Sequence, residues 1–132
     1  MKAVIDSSAF LAVLLMEPER DWLIRRTSGV EAFAPEILPY EIGNALSAML
    51  KRGRLTIEEA QAAFEALSRM TVRLVPCSIS DALELSASRS IYAYDAYFLV
   101  GAREIGCPLL TLDQKMRRIA IDLGIRTLEP NQ

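Results

Sequence analysis

Five short apolar runs punctuate this chain, each too brief for a helix: Ala3-Val4-Ile5, Ala32-Phe33-Ala34, Val72–Val75, Pro108–Leu112 and Ile125–Leu128. They read as buried strands. Between them the spacing is helical. Ser7 and Ser8 are cap residues for an apolar helix from Ala9 to Leu15. Pro18 opens a second helix that runs to about Ser28 and stops at Gly29. Ile42, Ala45, Leu46 and Met49 form a stripe that ends by Gly53. Thr56 and Glu59 make a capping box ahead of Ala60, Ala63, Phe64, Leu67 and Met70. Ser78 or Ser80 caps a helix to about Arg89, and Tyr94 to Ile105 is apolar nearly all round, as a covered central helix is. A last helix runs from Asp113 to Leu123, closed by Gly124. Strands alternating with helices imply an α/β fold, a parallel sheet sandwiched between helices. The two helices between about residues 36 and 71 have no strand between them, so they are expected to form a protruding helical hairpin.

The chain has 132 residues with no internal repeat or linker, which fits a single domain over residues 1–132. Its 52 % hydrophobic content fits a well-packed core and also weakly suggests a subunit contact. Phe10, Leu11, Leu14, Leu15 and Trp22 form an apolar surface that suits either use. Cys77 and Cys107 lack C-x-x-C spacing and read as buried reduced thiols. The first apolar run is too short for a signal peptide, and charges or prolines interrupt every other one, so no membrane span is expected and the location is cytoplasmic. There is no histidine. That excludes a Ser-His-Asp triad, a Cys-His pair, a two-histidine ribonuclease and a histidine-ligated zinc site. A net charge of −2 argues against broad, nonspecific binding to nucleic-acid backbone.

Four acids stand where such a fold makes its sites. Asp6 ends the first strand, Asp113 follows a later one, and Glu41 and Asp95 lie in first turns of helices. In open α/β sheets, ligands bind outside the carboxyl ends of the strands. Each acid alone also reads as a helix cap or a solvated first-turn charge. Together they would form an anionic cup that suits a hard dication, Mg²⁺ or Mn²⁺. Two such ions about 4 Å apart can clamp a phosphodiester and activate water without any histidine. Ser8 and Thr111 are candidates to orient water at the metal, and Asn44, one turn after Glu41, to orient that carboxylate.

Val-Ile-Asp6-Ser-Ser-Ala, Pro35-x-x-x-Pro-Tyr-Glu41-x-x-Asn44-x-Leu, Tyr94-Asp95-Ala-Tyr97 and Leu-Leu-Thr111-Leu-Asp113 resemble the PIN-domain ribonucleases, in particular the VapC-type toxins of toxin–antitoxin pairs. The resemblance runs through nearly the whole chain. It implies a three-layer α/β/α fold around a five-stranded parallel sheet, a homodimer, Mg²⁺-dependent cleavage of RNA, and neutralisation by a small VapB-type antitoxin. It assigns catalytic and metal-binding roles to Asp6, Glu41, Asp95 and Asp113, with Asp6 and Asp95 first among the direct metal ligands. Val100-Gly101 is a minor departure that leaves the acids intact.

Lys115 and Arg117, in a cluster with Arg118 one to two turns after Asp113, are candidates to hold RNA phosphates, with a solvated helix face as the competing reading. Lys51 and Arg52 read better as favourable charge at a helix C-terminus. Tyr92, Tyr94 and Tyr97 surround Asp95; core packing is the expectation, base stacking the alternative. Other functions stay open: a PIN nuclease for RNA processing or structured DNA, and a non-catalytic partner-binding scaffold. A phosphorylated receiver wants paired acids after the first strand, and a haloacid-dehalogenase-like phosphatase wants Asp-x-Asp. Here Ser7 and Ser8 follow Asp6.

Overall fold

The structure, a computed structural model, describes residues 1–130. Asn131 and Gln132, the end of the expected domain, lie outside the described residues. Strands β1 (Lys2–Ile5), β2 (Glu31–Pro35), β3 (Val72–Val75) and β4 (Leu109–Leu110) form one parallel sheet in the order β3-β2-β1-β4. The helices of the described residues are α1 (Ser7–Leu14), α2 (Arg20–Arg26), α3 (Leu38–Lys51), α4 (Ile57–Ser68), α5 (Ile79–Arg89), α6 (Ala93–Ile105) and α7 (Gln114–Asp122).

The chain winds outward from β1 through β2 to β3, then crosses back to β4 on the far side of β1. Right-handed crossovers put α1 to α4 on one face and α5 and α6 on the other. Contacts agree: α1 packs on α2, α3 and α4, whereas α6 packs on α5, α7 and three of the strands. The winding direction therefore reverses between β1 and β4. At such a switch point the helices that follow the two strands depart to opposite faces and leave a crevice.

The parallel α/β sandwich is as expected, but the five-stranded sheet is not: four strands are present among the described residues. Residues 125–128 reach β4 through one bridge, Leu109 to Thr127. There Leu109 N–H donates to Arg126 O at 2.8 Å and Leu128 N–H to Leu109 O at 3.0 Å. β4 offers two residues of template before the chain turns toward α7, too little for a second full ladder.

Local signals explain most element ends. Thr56 and Glu59 cap α4 reciprocally, at 3.1 and 2.9 Å. Ser78 caps α5. α1 begins at Ser7 with Asp6 as its cap, so Ser7 and Ser8 lie inside the helix and not before it. Pro18 sits in a turn, because Met16 ends α1 at φ 55° and Arg20 N–H bonds back to Glu17 O; α2 starts only at Arg20. The α3–α4 hairpin leans on α1 through buried Leu38, Ile42, Leu46, Ala60, Ala63 and Leu67, while its tip, Lys51 to Arg54, and the outer face of α4 stand in solvent. Phe98, Leu99 and Val100 of α6 are at most 1 % exposed against Val4, Leu109 and Leu110, which is why that helix is apolar on every side. Phe10 is core, and Leu11, Leu14, Leu15 and Trp22 pack partly buried against the core. Both cysteines are free and half-buried, not fully buried. No helix among the described residues is long and apolar enough to cross a membrane.

Candidate functional site

The site is built outward from Asp6, the residue after β1, which is 3 % exposed. Its Oδ1 accepts the Ala9 N–H at 3.1 Å, which starts α1, and the Ser8 hydroxyl at 2.6 Å. Its Oδ2 accepts the Thr111 hydroxyl. The same two hydroxyls reach across to the turn after β4: Ser8 Oγ accepts Leu112 N–H and Thr111 Oγ1 accepts Asp113 N–H, each at 3.0 Å. Ser8 and Thr111 thus clasp the loops after β1 and β4 and fix the Asp6 rotamer. Asp113 is exposed and caps α7 through Met116 N–H at 3.1 Å. For Asp6 and Asp113, helix capping is a present role of the carboxylate, alongside whatever else it does.

Glu41 and Asp95 come in from opposite faces of the sheet, each half-buried in the first turn of its helix. Glu41 Oε1 accepts a short hydrogen bond from the Ser7 hydroxyl. Its Oε2 is buried and has no partner among the described residues. Asn44 is exposed and makes no hydrogen bond to Glu41; Ser7 does the orienting that the sequence suggested for Asn44. A contact between α1 and α3, invisible in local pattern, brings Ser7 there.

The acids feel one another. Burial pushes Asp6 up to about 6; Ser8, Thr111 and the Ala9 N–H oppose this, and Asp113 adds to it. Burial also raises Glu41, against the Ser7 hydrogen bond, with further upward pushes from Asp95 and Asp6. Asp95 is raised by burial and then by Asp113, while Lys115 pulls it down. These linked fields draw all four carboxylates into one electrostatic group at the switch point. The donors are all oxygen, as Mg²⁺ or Mn²⁺ requires, and Glu41 Oε2 has a buried lone pair to give. The donor chemistry therefore fits a hard dication. The side chains are not yet gathered around one point: among the described residues, no group of three or more acidic or thiol groups is arranged to hold a metal ion as it stands.

Lys115 Nζ donates to Ser90 O at 3.2 Å and lies within electrostatic reach of Asp95. Arg117 is engaged elsewhere, by Glu129 at 2.6 Å. Core packing fails for two of the tyrosines. Tyr92 and Tyr94 are 83 % and 55 % exposed, because they precede the buried Ala96–Ala102 stretch of α6; Tyr97 is half-buried. A cavity of about 240 Å³ between α1, α2 and the sheet is apolar, lined by residues such as Phe10, Leu23 and Met70, and contains none of the four acids.

Comparison with known proteins follows the same frame. The PIN domain family model matches residues 3–122. Ribonuclease VapC3 of Pyrobaculum aerophilum is 31 % identical over 121 residues, covering 88 % of this chain and 92 % of that protein. Ribonuclease VapC9 of Mycobacterium tuberculosis is 29 % identical over 115 residues, covering 86 % and 87 %. Among solved structures, VapBC-1 from nontypeable Haemophilus influenzae matches with a TM-score of 0.68 at 16 % identity over 100 % of both chains. FitAcB from Neisseria gonorrhoeae matches at 0.67 and 12 % identity over 97 % of each. At such identities the structures establish a shared fold.

Proposed function

Because this chain belongs to the PIN domain family, as a VapC-type member of it, we propose that it is a Mg²⁺-dependent endoribonuclease, the toxin of a VapBC-type toxin–antitoxin pair. The relatives that span most of its length are named ribonucleases. The observation that carries the reading is the linked group of four carboxylates, one of which keeps a buried oxygen without a partner.

In this reading Asp6 and Asp95 hold the ion directly, and Glu41 and Asp113 complete the donor set. A bound dication supplies Lewis acidity to the phosphodiester and lowers the pKa of water beside it. The chain's own contribution is to aim the donors. Ser8 and Thr111 leave Asp6 one orientation, Ser7 keeps Glu41 turned toward the group, and Lys115 offers a positive charge to a phosphate near Asp95. RNA is the substrate and a small VapB-type antitoxin the protein partner; the VapBC-1 neighbour supports that pairing. We take the working form to be a cytoplasmic homodimer of single-domain subunits.

The test is Asp6→Asn and Asp95→Asn, each assayed for RNA cleavage with Mg²⁺ and for Mn²⁺ binding by calorimetry. Outer-shell partners of a metal already account for about 10- to 100-fold, so loss of a direct ligand should lower cleavage by at least about a hundredfold. Full activity in either variant would end the reading. The scaffold alternative draws on the spread of the acids. It predicts a wild-type chain that binds its partner, ignores Mn²⁺ and leaves RNA intact.

A further inference from the structure

Four arginines of this chain are matched to acids: Arg69 to Glu65, Arg73 to Glu31, Arg89 to Asp122 and Arg117 to Glu129. Arg103 and Arg126 are not. Among the described residues neither guanidinium has a salt bridge or a hydrogen bond. Yet the two line one cavity of about 190 Å³. Its floor is Ala102 and Ile125, at 1 % and 7 % exposure. The arginines stand at its rim with Gly106 and Gly124, all four exposed. Nothing lies within 4 Å of where a Cβ would sit on either glycine, so the mouth is open.

This bowl lies at the end of the sheet opposite the four acids. Gly106 and Cys107 come just before β4, and Arg126 precedes Thr127, which bridges Leu109 at the start of that strand. Lys2, the first residue of β1, brings a third positive charge to the same end: burial raises the Cys107 thiol, and the Val4 backbone and the Lys2 ammonium pull it back down. Cys107 lines the cavity, and among the described residues no acid does. A cation in the last turn of a helix offsets the helix dipole, which accounts for Arg103 in α6. Arg126 lies beyond the end of α7 and has no such use. The carbonyl that the end of α6 would turn against an anion is already spent, since Ala102 O accepts Gly106 N–H at 2.9 Å and Cys107 N–H at 3.1 Å.

Guanidinium forks match the paired oxygens of a phosphate. Sites for drug-sized molecules run to about 300–1,000 Å³, so a bowl smaller than that suits a small ion and not a polymer strand. We infer that Arg103 and Arg126 form an anion site for a phosphate group, carried by pyrophosphate or by the end of a nucleotide, at the edge of the sheet remote from the carboxylates. The inference is independent of the nuclease reading.

The test titrates inorganic pyrophosphate into the whole protein at low salt, followed by calorimetry and by backbone amide NMR. EDTA is present so that no metal carries phosphate to the acids. Wild type should bind saturably, with the Gly106, Cys107 and Gly124 amides shifting, and affinity should fall as salt rises. Arg103→Gln and Arg126→Gln should each weaken binding roughly tenfold or more, whereas Lys115→Gln, at the other end of the sheet, should leave it unchanged. Both arginine side chains are exposed, and melting curves verify that the variants fold. ADP titrated in parallel tells the sources apart: tighter binding than pyrophosphate adds the nucleoside to the ligand, and equal or weaker binding assigns the bare ion. Shifts that never saturate, equal binding by the two Gln variants, or dependence on Lys115 overturns the inference. So does RNA binding that tracks Arg103 and Arg126 in a chain that ignores pyrophosphate, which assigns the arginines to a polymer.

Discussion

At Asp6 the fold works against its own charge. The folded carboxyl titrates at about 6 against an ordinary 3.8, so the folded chain holds a proton that the unfolded chain has already released. Stability that is present below about pH 4 is therefore lost as pH rises toward about 6, and stays lost above it. The shift corresponds to something on the order of 3 kcal/mol. Asp6→Asn should thus melt several degrees higher than wild type near neutral pH without Mg²⁺, and the advantage should shrink as pH falls from about 6 to about 4. Scanning calorimetry across that range checks it; a constant difference would refute the linkage. Thr111→Val keeps the shape but leaves Asp6 Oδ2 without its hydroxyl and Asp113 N–H without an acceptor. We expect it to lose about 1–3 kcal/mol in urea unfolding. At this scale the four acids could be picked out as candidates because three stand where an apolar run ends or a helix begins, and Glu41 follows Pro39 at the start of a helix-like stretch. Ser7 was not, since its use depends on where α3 lands. Tyr92 and Tyr94 were misread because apolar periodicity says which helix is covered, not how far its first turn extends beyond the cover.

Elements were legible where their ends carry their own chemistry. The capping box of α4 and the Ser78 cap of α5 are local and were found. β4 was read as five residues and is two, because its last residues leave the ladder to serve the site: Thr111 spends its hydroxyl on Asp6. The same brevity cuts the expected fifth strand to a single bridge. Within α6, Gly101 departs from good helix chemistry without a steric need. A Cβ there would meet Cys77 Sγ at 3.5 Å, an ordinary contact. Gly101→Ala is expected to stabilise the chain by about 0.5–1 kcal/mol, read as a raised melting temperature. In α7, Arg117→Ala frees one anchor of the C-terminal segment. It should cost at most about 1 kcal/mol and leave RNA cleavage near its wild-type rate. A large loss of cleavage would return Arg117 to the substrate.

For the whole molecule, alternation of strands and helices announced a parallel sheet, but the order β3-β2-β1-β4 is a tertiary outcome that no local pattern encodes. That order is what brings the loops after β1 and β4 together. If the acids there bind a dication only in the folded chain, Mg²⁺ at about a hundred times its Kd should add about 2.7 kcal/mol of stability. The melting temperature of wild type should rise accordingly on adding Mg²⁺ and fall back with EDTA, while Asp95→Asn should show neither. The two capping carboxylates carry one more implication. The oxygen that begins α1 and the one that begins α7 belong to side chains of a single length, matched to an N–H three residues ahead. Glutamate at either position keeps the negative charge yet overshoots that N–H, so the exchange that looks mildest on paper would unravel a helix start and the reaction centre together.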